Sequence, residues 1–388
     1  MIQTLTITDF RNHTFSRIRT DGAPNIIITG PNGGGKTSIL EAISVLSGNG
    51  GLRGATADEM ARIVGARRDA PRAAREPPLQ NFAVVAELSD GTEISVYWNA
   101  ADNKKKAKLN TNASPLSKLG EVMRMVWITP REDRVFIDSA SDRRAFFDRL
   151  CSGFVPNHSG HVFRLSKLLS ERAFALKNRA ADGWLTPIER QIAEIAIPVA
   201  RARVNFVENI NRLLMDDGRG MTDDGKSPSS IVHHPSSIFV SGMVEGKMFG
   251  GATDADLISE YAAYLSKNRE LVADKMSIDG PHRADFGLFD GVLNRNADQL
   301  STGQQKAALL RLIIAYVKAA RSTSDRPILV LLDEIAAHLD AGARATLFSE
   351  LQSARAQVWM TGLDRAAFSD LGHAKFIYCE NGMITGNM

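Results

Sequence analysis

The sequence contains little cysteine and no long apolar run, and both shortages restrict what the protein can be. Its 388 residues include 2 cysteines, Cys151 and Cys379, which lie far apart and lack metal-ligand spacing. We therefore expect reduced, buried thiols in a cytoplasmic protein. No stretch of about 18 apolar residues is present, and the N-terminal MIQTLTITDF lacks a basic segment followed by an apolar one. We expect neither export nor a membrane span.

Length and charge set further limits. A chain of 388 residues exceeds the ~250–300 residues at which single cores stop growing, so two lobes are expected. The formal net charge of +3 and the pI near 8.8 suggest a polyanionic partner without establishing one. The distribution of the charge is more informative than its sum.

Residues 30–37, with the sequence GPNGGGKT, fit a phosphate-binding loop between the apolar run 26–28 and a helix. Backbone N–H groups of such a loop surround a phosphate, Lys36 can reach the β- and γ-phosphates, and the Thr37 hydroxyl can hold Mg²⁺. A flexible glycine-rich turn is the alternative, which we disfavour because every fixed position and both flanks match. The predicted ATP or GTP site comprises Gly30, Pro31, Asn32, Gly33, Gly34, Gly35, Lys36, Thr37 and Ser38.

Two acidic residues follow the apolar run 328–332, which is typical of a buried parallel strand. We predict that Asp333 holds Mg²⁺ with Thr37 and that Glu334 polarises the attacking water, so Lys36, Asp333 and Glu334 are the catalytic candidates. Upstream, the segment LSTGQQK begins a helix, where Ser301 and Gly303 offer a hydroxyl and a backbone N–H to an anion. Downstream, His338-Leu339-Asp340 completes the series.

Basic residues cluster in two places. Lys104, Lys105 and Lys106 are predicted at a hairpin tip, where a solvated turn and a phosphate contact remain equally open. Residues 143–179 contain eight Arg or Lys against two acidic residues, so most of these cations have no helical partner, and polyanion contact is favoured over a merely exposed face. The DNA-contact candidates are Lys104, Lys105, Lys106, Arg143, Arg144, Arg164 and Lys167.

The ordered motifs GPNGGGKT, LSTGQQ, LLDE and HLD resemble the ABC-type ATPase head. That resemblance implies an α/β fold, with a mixed sheet around the phosphate loop built from residues 1–140 and 277–388, and a compact, mainly helical, basic insertion at 141–276. It also implies that Ser301 and Gly303 of one subunit complete the ATP site of another, and that Gln304 and Asp340 are further nucleotide-binding candidates. Thr302 stands where transporters have glycine, and Thr361-Gly362 stands where many members have a switch histidine, so slow hydrolysis is expected.

The chain also resembles the RecF family of recombination mediators in three further short motifs. These motifs are Phe10-Arg11-Asn12, Gly280-Pro281-His282-Arg283 and Thr361-Gly362. The first of them puts Arg11 beside the nucleotide. This resemblance implies a weak, DNA-stimulated ATPase whose ATP-driven homodimer clamps DNA at gaps or single-strand/double-strand junctions. With RecO and RecR it would promote RecA loading, and it would serve replication and the SOS response.

Two alternatives are weaker. Another SMC-like DNA-repair ATPase would need a long coiled coil or a nuclease carboxylate cluster, and the sequence has neither. A transporter nucleotide-binding subunit would need a membrane partner, and the inserted basic helices argue against it.

Overall fold

The computed structural model describes residues 1–48, 50–62, 81–216, 236–270, 278–334, 341–369, 371 and 373–385. They belong to two compact units. The first comprises Met1–Glu132 and Ala320–Met388, and the second comprises Asp133–Ala319. Each unit is described separately below.

An antiparallel sheet of six strands forms one layer of the first unit, in the order β2-β1-β4-β5-β6-β7. Residues 4–7 alternate polar and apolar side chains, and in the structure Leu5 and Ile7 pair with Ala86 and Val84 on the neighbouring strand. The strands are β1 (Ile2–Phe10), β2 (His13–Arg19), β4 (Asn81–Leu88), β5 (Glu93–Asn99), β6 (Lys104–Leu109) and β7 (Asn112–Ser114).

A mixed sheet forms the other layer, in the order β15-β14-β3-β13-β12-β8. Four of its pairings are parallel, and only the pairing of the last two strands of the chain is antiparallel. All five residues of 328–332 are buried, as expected for a parallel strand covered on both faces. The strands are β3 (Asn25–Thr29), β8 (Arg124–Ile128), β12 (Ile328–Leu332), β13 (Gln357–Gly362), β14 (Ala374–Glu380) and β15 (Met383–Thr385).

One hydrophobic core joins the two sheets to the helix that follows the phosphate loop. Ile39 and Ile43 of that helix belong to the same buried cluster as Leu5 of the antiparallel sheet and Leu331 and Trp359 of the mixed sheet. The helix is therefore fixed on both sides, which gives the loop before it a rigid base. The helices of this unit are α1 (Lys36–Val45), α2 (Ala57–Met60), α3 (Leu119–Val122) and α10 (Ala341–Ser353).

The second unit is mainly helical and carries a small antiparallel sheet in the order β11-β10-β9. Its helices are α4 (Ala140–Ser152), α5 (His158–Lys177), α6 (Asp182–Asp216), α7 (Met243–Phe249), α8 (Asp254–Lys267) and α9 (Thr302–Thr323), the last turn of which belongs to the first unit. Its strands are β9 (Ser237–Ser241), β10 (Asp285–Asp290) and β11 (Arg295–Asn296).

A buried charge network joins three helices of the second unit. Arg203 on α6 donates to both carboxylate oxygens of Asp148 on α4, at 2.8 Å each, and to Glu245 on α7 at 3.0 Å. Burial alone would raise the pKa of Asp148, but the Arg203 charge and hydrogen bonds hold it at about 2. The network therefore specifies how these helices pack against one another.

The observed division differs from the predicted boundaries at 140/141 and 276/277, because it falls after Glu132 and after Ala319. The reason is that β10 packs on α4: Phe286 stacks on Phe147 with ring centroids 4.5 Å apart, and Asp285 pairs with Arg143. Within the insertion, α5 ends at Lys177 and α6 begins at Asp182. No helix in the described ranges is long and apolar enough to span a membrane.

Candidate functional site

Two glycines of the loop between β3 and α1, Gly30 and Gly34, are required by close backbone contacts. Gly30 has φ 143°, and a Cβ there would lie 2.0 Å from the Cys379 carbonyl oxygen. A Cβ on Gly34 would lie 2.7 Å from the same oxygen, and the Gly34 carbonyl accepts hydrogen bonds from Gly382 N–H at 2.9 Å and the Cys379 thiol at 3.3 Å. The loop is thus seated on β14 and the turn after it.

Lys36 opens α1 and extends along the inside of the loop. Its Nζ donates to the carbonyl oxygens of Gly30 at 2.7 Å and Pro31 at 2.9 Å. The ammonium is therefore held where the loop backbone closes around it.

The loop forms one wall of a cavity of about 800 Å³ within the first unit. This volume is within the usual range for nucleotide-sized ligands. Its lining contains both predicted loop residues and others: Arg11, Asn12, Asn32, Gly33, Gly35, Lys36, Thr37, Ser38, Arg53, Glu59, Ala61, Arg62 and Glu334.

The two predicted acidic residues follow the carboxyl end of β12, beside the loop. The Thr37 hydroxyl donates to Asp333 Oδ1 at 2.9 Å, so these two residues are brought together although 296 positions separate them. A second hydroxyl, that of Thr361, donates to the same oxygen at 2.7 Å. Glu334 lines the cavity, and its backbone has φ 56°.

This pair of oxygens fits a magnesium ion. Mg²⁺ prefers carboxylate and hydroxyl oxygens at 2.0–2.1 Å in an octahedron, which places two neighbouring ligand oxygens about 2.9 Å apart. The Thr37 and Asp333 oxygens already have this separation. Burial raises the pKa of Asp333 while the two hydroxyl hydrogen bonds oppose the rise, so a cation there would favour the ionised carboxylate.

Arg11 is held on the cavity wall by a carboxylate that the sequence did not single out. Its Nε and Nη2 donate to Glu41 at 2.8 and 2.7 Å, and its Nη1 donates to the Glu59 carbonyl at 2.6 Å. Glu41 is fully buried on α1, and Arg53 lies 3.8 Å from it. The available signal for Glu41 was a charged residue flanked on both sides by the apolar pairs Ile39-Leu40 and Ala42-Ile43.

The predicted segment LSTGQQK (residues 300–306), called the signature from here on, lies in the second unit at the start of α9. Ser301 N–H donates to Gln304 Oε1 at 3.0 Å, and Gln304 N–H donates to Ser301 Oγ at 3.5 Å. Ser301, Gly303 and Gln304 are exposed, and a Cβ on Gly303 would meet open space. Asp340 lies outside the described residues.

Two of the predicted DNA contacts are engaged within the protein. Arg143 donates through Nε and Nη2 to Asp285 at 2.7 and 2.6 Å, and Arg144 donates to the Ala284 carbonyl at 2.9 Å. The two guanidinium groups thus connect α4 to the first residue of β10 and to the residue before it. The sequence shows that these two helical residues are basic, but it does not show that β10 lies opposite them.

The remaining basic candidates are distributed differently from the prediction. Lys104, Lys105 and Lys106 begin strand β6 instead of forming a hairpin tip. Lys106 is paired with Asp102, and burial lowers the pKa of Lys105. Arg164 and Lys167 are exposed on α5, where Lys167 lies 3.7 Å from Glu171.

Comparisons with known proteins agree on one family. Residues 1–385 match the family model described as "RecF/RecN/SMC N terminal domain". The chain is 32% identical over 388 residues to the "DNA replication and repair protein RecF" of Rhizobium etli, covering 98% of both chains. It is 33% identical over 380 residues to the protein of the same name from Caulobacter vibrioides, covering 95% of this chain and 93% of that one.

A solved structure described as the recombination mediator protein RecF with ATPrS in the RecFOR pathway has a TM-score of 0.79 and 18% identity, and covers 100% of this chain and 98% of its own. A second, described as RecF with ATP, has a TM-score of 0.76 and 19% identity. These two likenesses confirm the predicted fold of the ATPase head with its insertion. With the family match and the sequence identities, they establish that the chain belongs to the RecF family within the RecF/RecN/SMC group.

Proposed function

We propose that the protein is an ATP-dependent DNA-binding protein of recombinational repair, which hydrolyses ATP slowly and uses it as a switch. The observation that carries this proposal is the 2.9 Å hydrogen bond between Thr37 and Asp333 at the wall of the cavity that also holds Lys36 and Glu334. Residues for phosphate, metal and water therefore converge on one volume.

Each residue then has a definite part. The loop N–H groups and Lys36 bind the β- and γ-phosphates, and Thr37 and Asp333 would hold Mg²⁺, which neutralises phosphate charge when bound. Glu334 orients the attacking water and accepts its proton. Arg11, fixed by Glu41 at 2.7 and 2.8 Å, supplies a cation to the rest of the nucleotide.

Dimerisation on ATP follows from the position of the signature. Ser301 and Gly303 lie at the exposed start of α9 in the second unit, where a hydroxyl and the backbone N–H groups of a helix N-terminus suit an incoming γ-phosphate. We propose that this phosphate belongs to a second copy of the chain, so that two nucleotides are sandwiched between two subunits.

DNA is the proposed partner because the relatives carry the name "DNA replication and repair protein RecF". Lys104, Lys105 and Lys106 on β6 and Arg164 and Lys167 on α5 form the proposed contact set. Gapped DNA or a single-strand/double-strand junction, with RecO, RecR and RecA as partners in repair, replication and the SOS response, is the finer part of the proposal.

Light scattering tests the dimer. We expect a monomer without nucleotide and a dimer at saturating ATP and Mg²⁺. Ser301→Arg, which places a bulky cation at the start of α9, should remain monomeric with ATP. Ser170→Arg, on an exposed position of α5, is the matched control and should dimerise. A monomer of the unaltered protein at saturating ATP contradicts the dimer.

Binding of gapped, duplex and single-stranded DNA at several salt concentrations, with and without ATP, tests the partner. The logarithm of the DNA association constant falls linearly with the logarithm of the salt concentration, and each phosphate contact removed should make this slope less steep by about 0.9 on duplex DNA. Arg164→Gln with Lys167→Gln should lower the slope, and Arg190→Gln, an exposed arginine paired with Glu194 on α6, should not. Equal affinity with and without ATP would refute ATP-dependent DNA binding.

A further inference from the structure

Thr361 joins the two acidic residues of the candidate site. It lies near the carboxyl end of β13, which pairs in parallel with β12 on one side and with β3 on the other. Parallel strands end at the same edge of a sheet, so the end of β13 is next to the residues that follow β12 and the loop that follows β3. The Thr361 side chain is buried, with 1% exposure.

The hydroxyl of Thr361 has two partners, and chemistry decides the direction of each hydrogen bond. It lies 2.7 Å from Asp333 Oδ1, and a carboxylate only accepts, so Thr361 donates. It lies 2.9 Å from the Glu334 backbone nitrogen, and an N–H only donates, so Thr361 accepts. One side chain thus binds the metal-binding carboxylate and the backbone of the next residue.

The second of these contacts is at an unusual backbone conformation. Glu334 has φ 56°, in the left-handed region that residues with a Cβ seldom adopt. A conformation of this kind persists when surrounding contacts hold it. Among the described residues, Thr361 supplies such a contact directly to the Glu334 N–H, and the direction of the Glu334 side chain into the cavity depends on that backbone.

We propose that Thr361 is a positioning residue for ATP hydrolysis, which orients Asp333 and Glu334 relative to one another through its hydroxyl. The inference depends on the proposed ATPase function and extends it to a residue whose hydroxyl contacts Asp333 and the Glu334 backbone. Thr361 stands where many related ATPases have a switch histidine. Its hydroxyl is directed at the acidic pair, so its effect on hydrolysis passes through those two residues.

The test separates hydrolysis from binding and from stability. Thr361→Val keeps the shape of the side chain and removes both hydrogen bonds, whereas Thr361→Ser keeps the hydroxyl. We expect kcat to fall about 10- to 100-fold in Thr361→Val, the loss associated with a hydrogen bond to a charged group. The Kd for a fluorescent ATP analogue should change less than about threefold, and Thr361→Ser should retain kcat within about threefold.

Magnesium supplies a second readout, because Thr361 shares Asp333 Oδ1 with Thr37. The Mg²⁺ concentration for half-maximal hydrolysis should rise several-fold in Thr361→Val and stay unchanged in Thr361→Ser. The matched control is Thr20→Val, which removes a buried hydroxyl bonded to the Ile2 carbonyl at 2.7 Å, outside the candidate site. It should lower thermal stability and leave kcat unchanged.

The outcomes distinguish the two levels of the proposal. If the unaltered protein neither binds nor hydrolyses ATP, the proposed function is wrong, and this inference is wrong with it. If the unaltered protein hydrolyses ATP and Thr361→Val matches its kcat and its Mg²⁺ requirement, only the inference is overturned. Equal losses in Thr361→Val and Thr361→Ser would also overturn it. Thr361→Ala, with the same expected pattern, replaces Thr361→Val if that variant does not fold.

Discussion

Replacing Glu334 by glutamine should stop ATP hydrolysis while leaving ATP binding intact. The Glu334 side chain is exposed to the cavity, and its contact with Thr361 is made by the backbone. Glutamine has the same shape, so the backbone conformation, the loop and the Thr37–Asp333 pair should be preserved. Only the carboxylate that accepts a proton from water is removed.

The expected magnitude follows from that single change. A positioned general base contributes about 10²- to 10⁴-fold to rate, which corresponds to about 3–5 kcal/mol of activation free energy. We therefore expect kcat for ATP to fall by at least about 10²-fold, with the Kd for ATP changed less than about threefold. Because ATP would then persist, the ATP-bound dimer should also outlive that of the unaltered protein.

Two measurements check this prediction. Phosphate release under saturating ATP and Mg²⁺ reports kcat, and light scattering after removal of free ATP reports the lifetime of the dimer. Glu87→Gln removes an exposed carboxylate from β4 and serves as the charge-matched control. A Glu334→Gln variant that hydrolyses ATP at the unaltered rate would refute the assignment of Glu334 as the base.

Three further predictions concern the loop, the second unit and pH. Gly30→Ala should weaken ATP binding at least about tenfold by equilibrium titration, because the new Cβ would lie 2.0 Å from the Cys379 carbonyl oxygen and the loop would have to move; unchanged affinity would contradict that packing. Arg203→Met should lower the free energy of unfolding of the second unit by about 3–5 kcal/mol in urea titrations, since Asp148 and Glu245 would stay buried without their cation. Burial lowers the pKa of His282 to about 4 from its ordinary 6.5, so the unfolded chain takes up the proton first as the pH falls. The free energy of unfolding should therefore fall by about 3 kcal/mol as the pH drops from about 6.5 to 4. His282→Gln should flatten this part of the pH profile of stability, and an unchanged profile would contradict the assignment.

The sequence could predict that the glycine-rich loop and the acidic pair lie together, because each is a local pattern. Both patterns mark the end of a strand: one is a glycine-rich turn between an apolar run and a helix, and the other is an apolar run that ends in Asp333 and Glu334. The carboxyl ends of parallel strands meet at one edge of a sheet. The pairing of Thr37 with Asp333 followed from that rule and is present at 2.9 Å. The mixed sheet and the helical insertion followed from the family resemblance.

What the sequence could not predict depends on partners distant in the chain. Arg143 carries the same charge as Arg164, but Asp285 lies opposite the first and no acidic residue is paired with the second among the described residues. Local charge counting treats the two alike, because it has no information about the strand that crosses α4. Glu41 is similar: its role depends on Arg11, thirty positions earlier.

Under the proposed function, binding and completion of the site belong to different units. Lys36, Thr37, Asp333, Glu334 and Thr361 all belong to the first unit, so one chain has the residues that bind ATP and the metal and that orient the attacking water. Ser301 and Gly303 belong to the second unit and are exposed. The hydrogen bonds of Thr361 to Asp333 and to the Glu334 backbone lie within the first unit. Under the same proposal, the Ser301 segment of a second copy would therefore act at the γ-phosphate. ATP could then bind to a single chain before a second copy completes the site, which is the order that the proposed ATP-controlled DNA clamp requires.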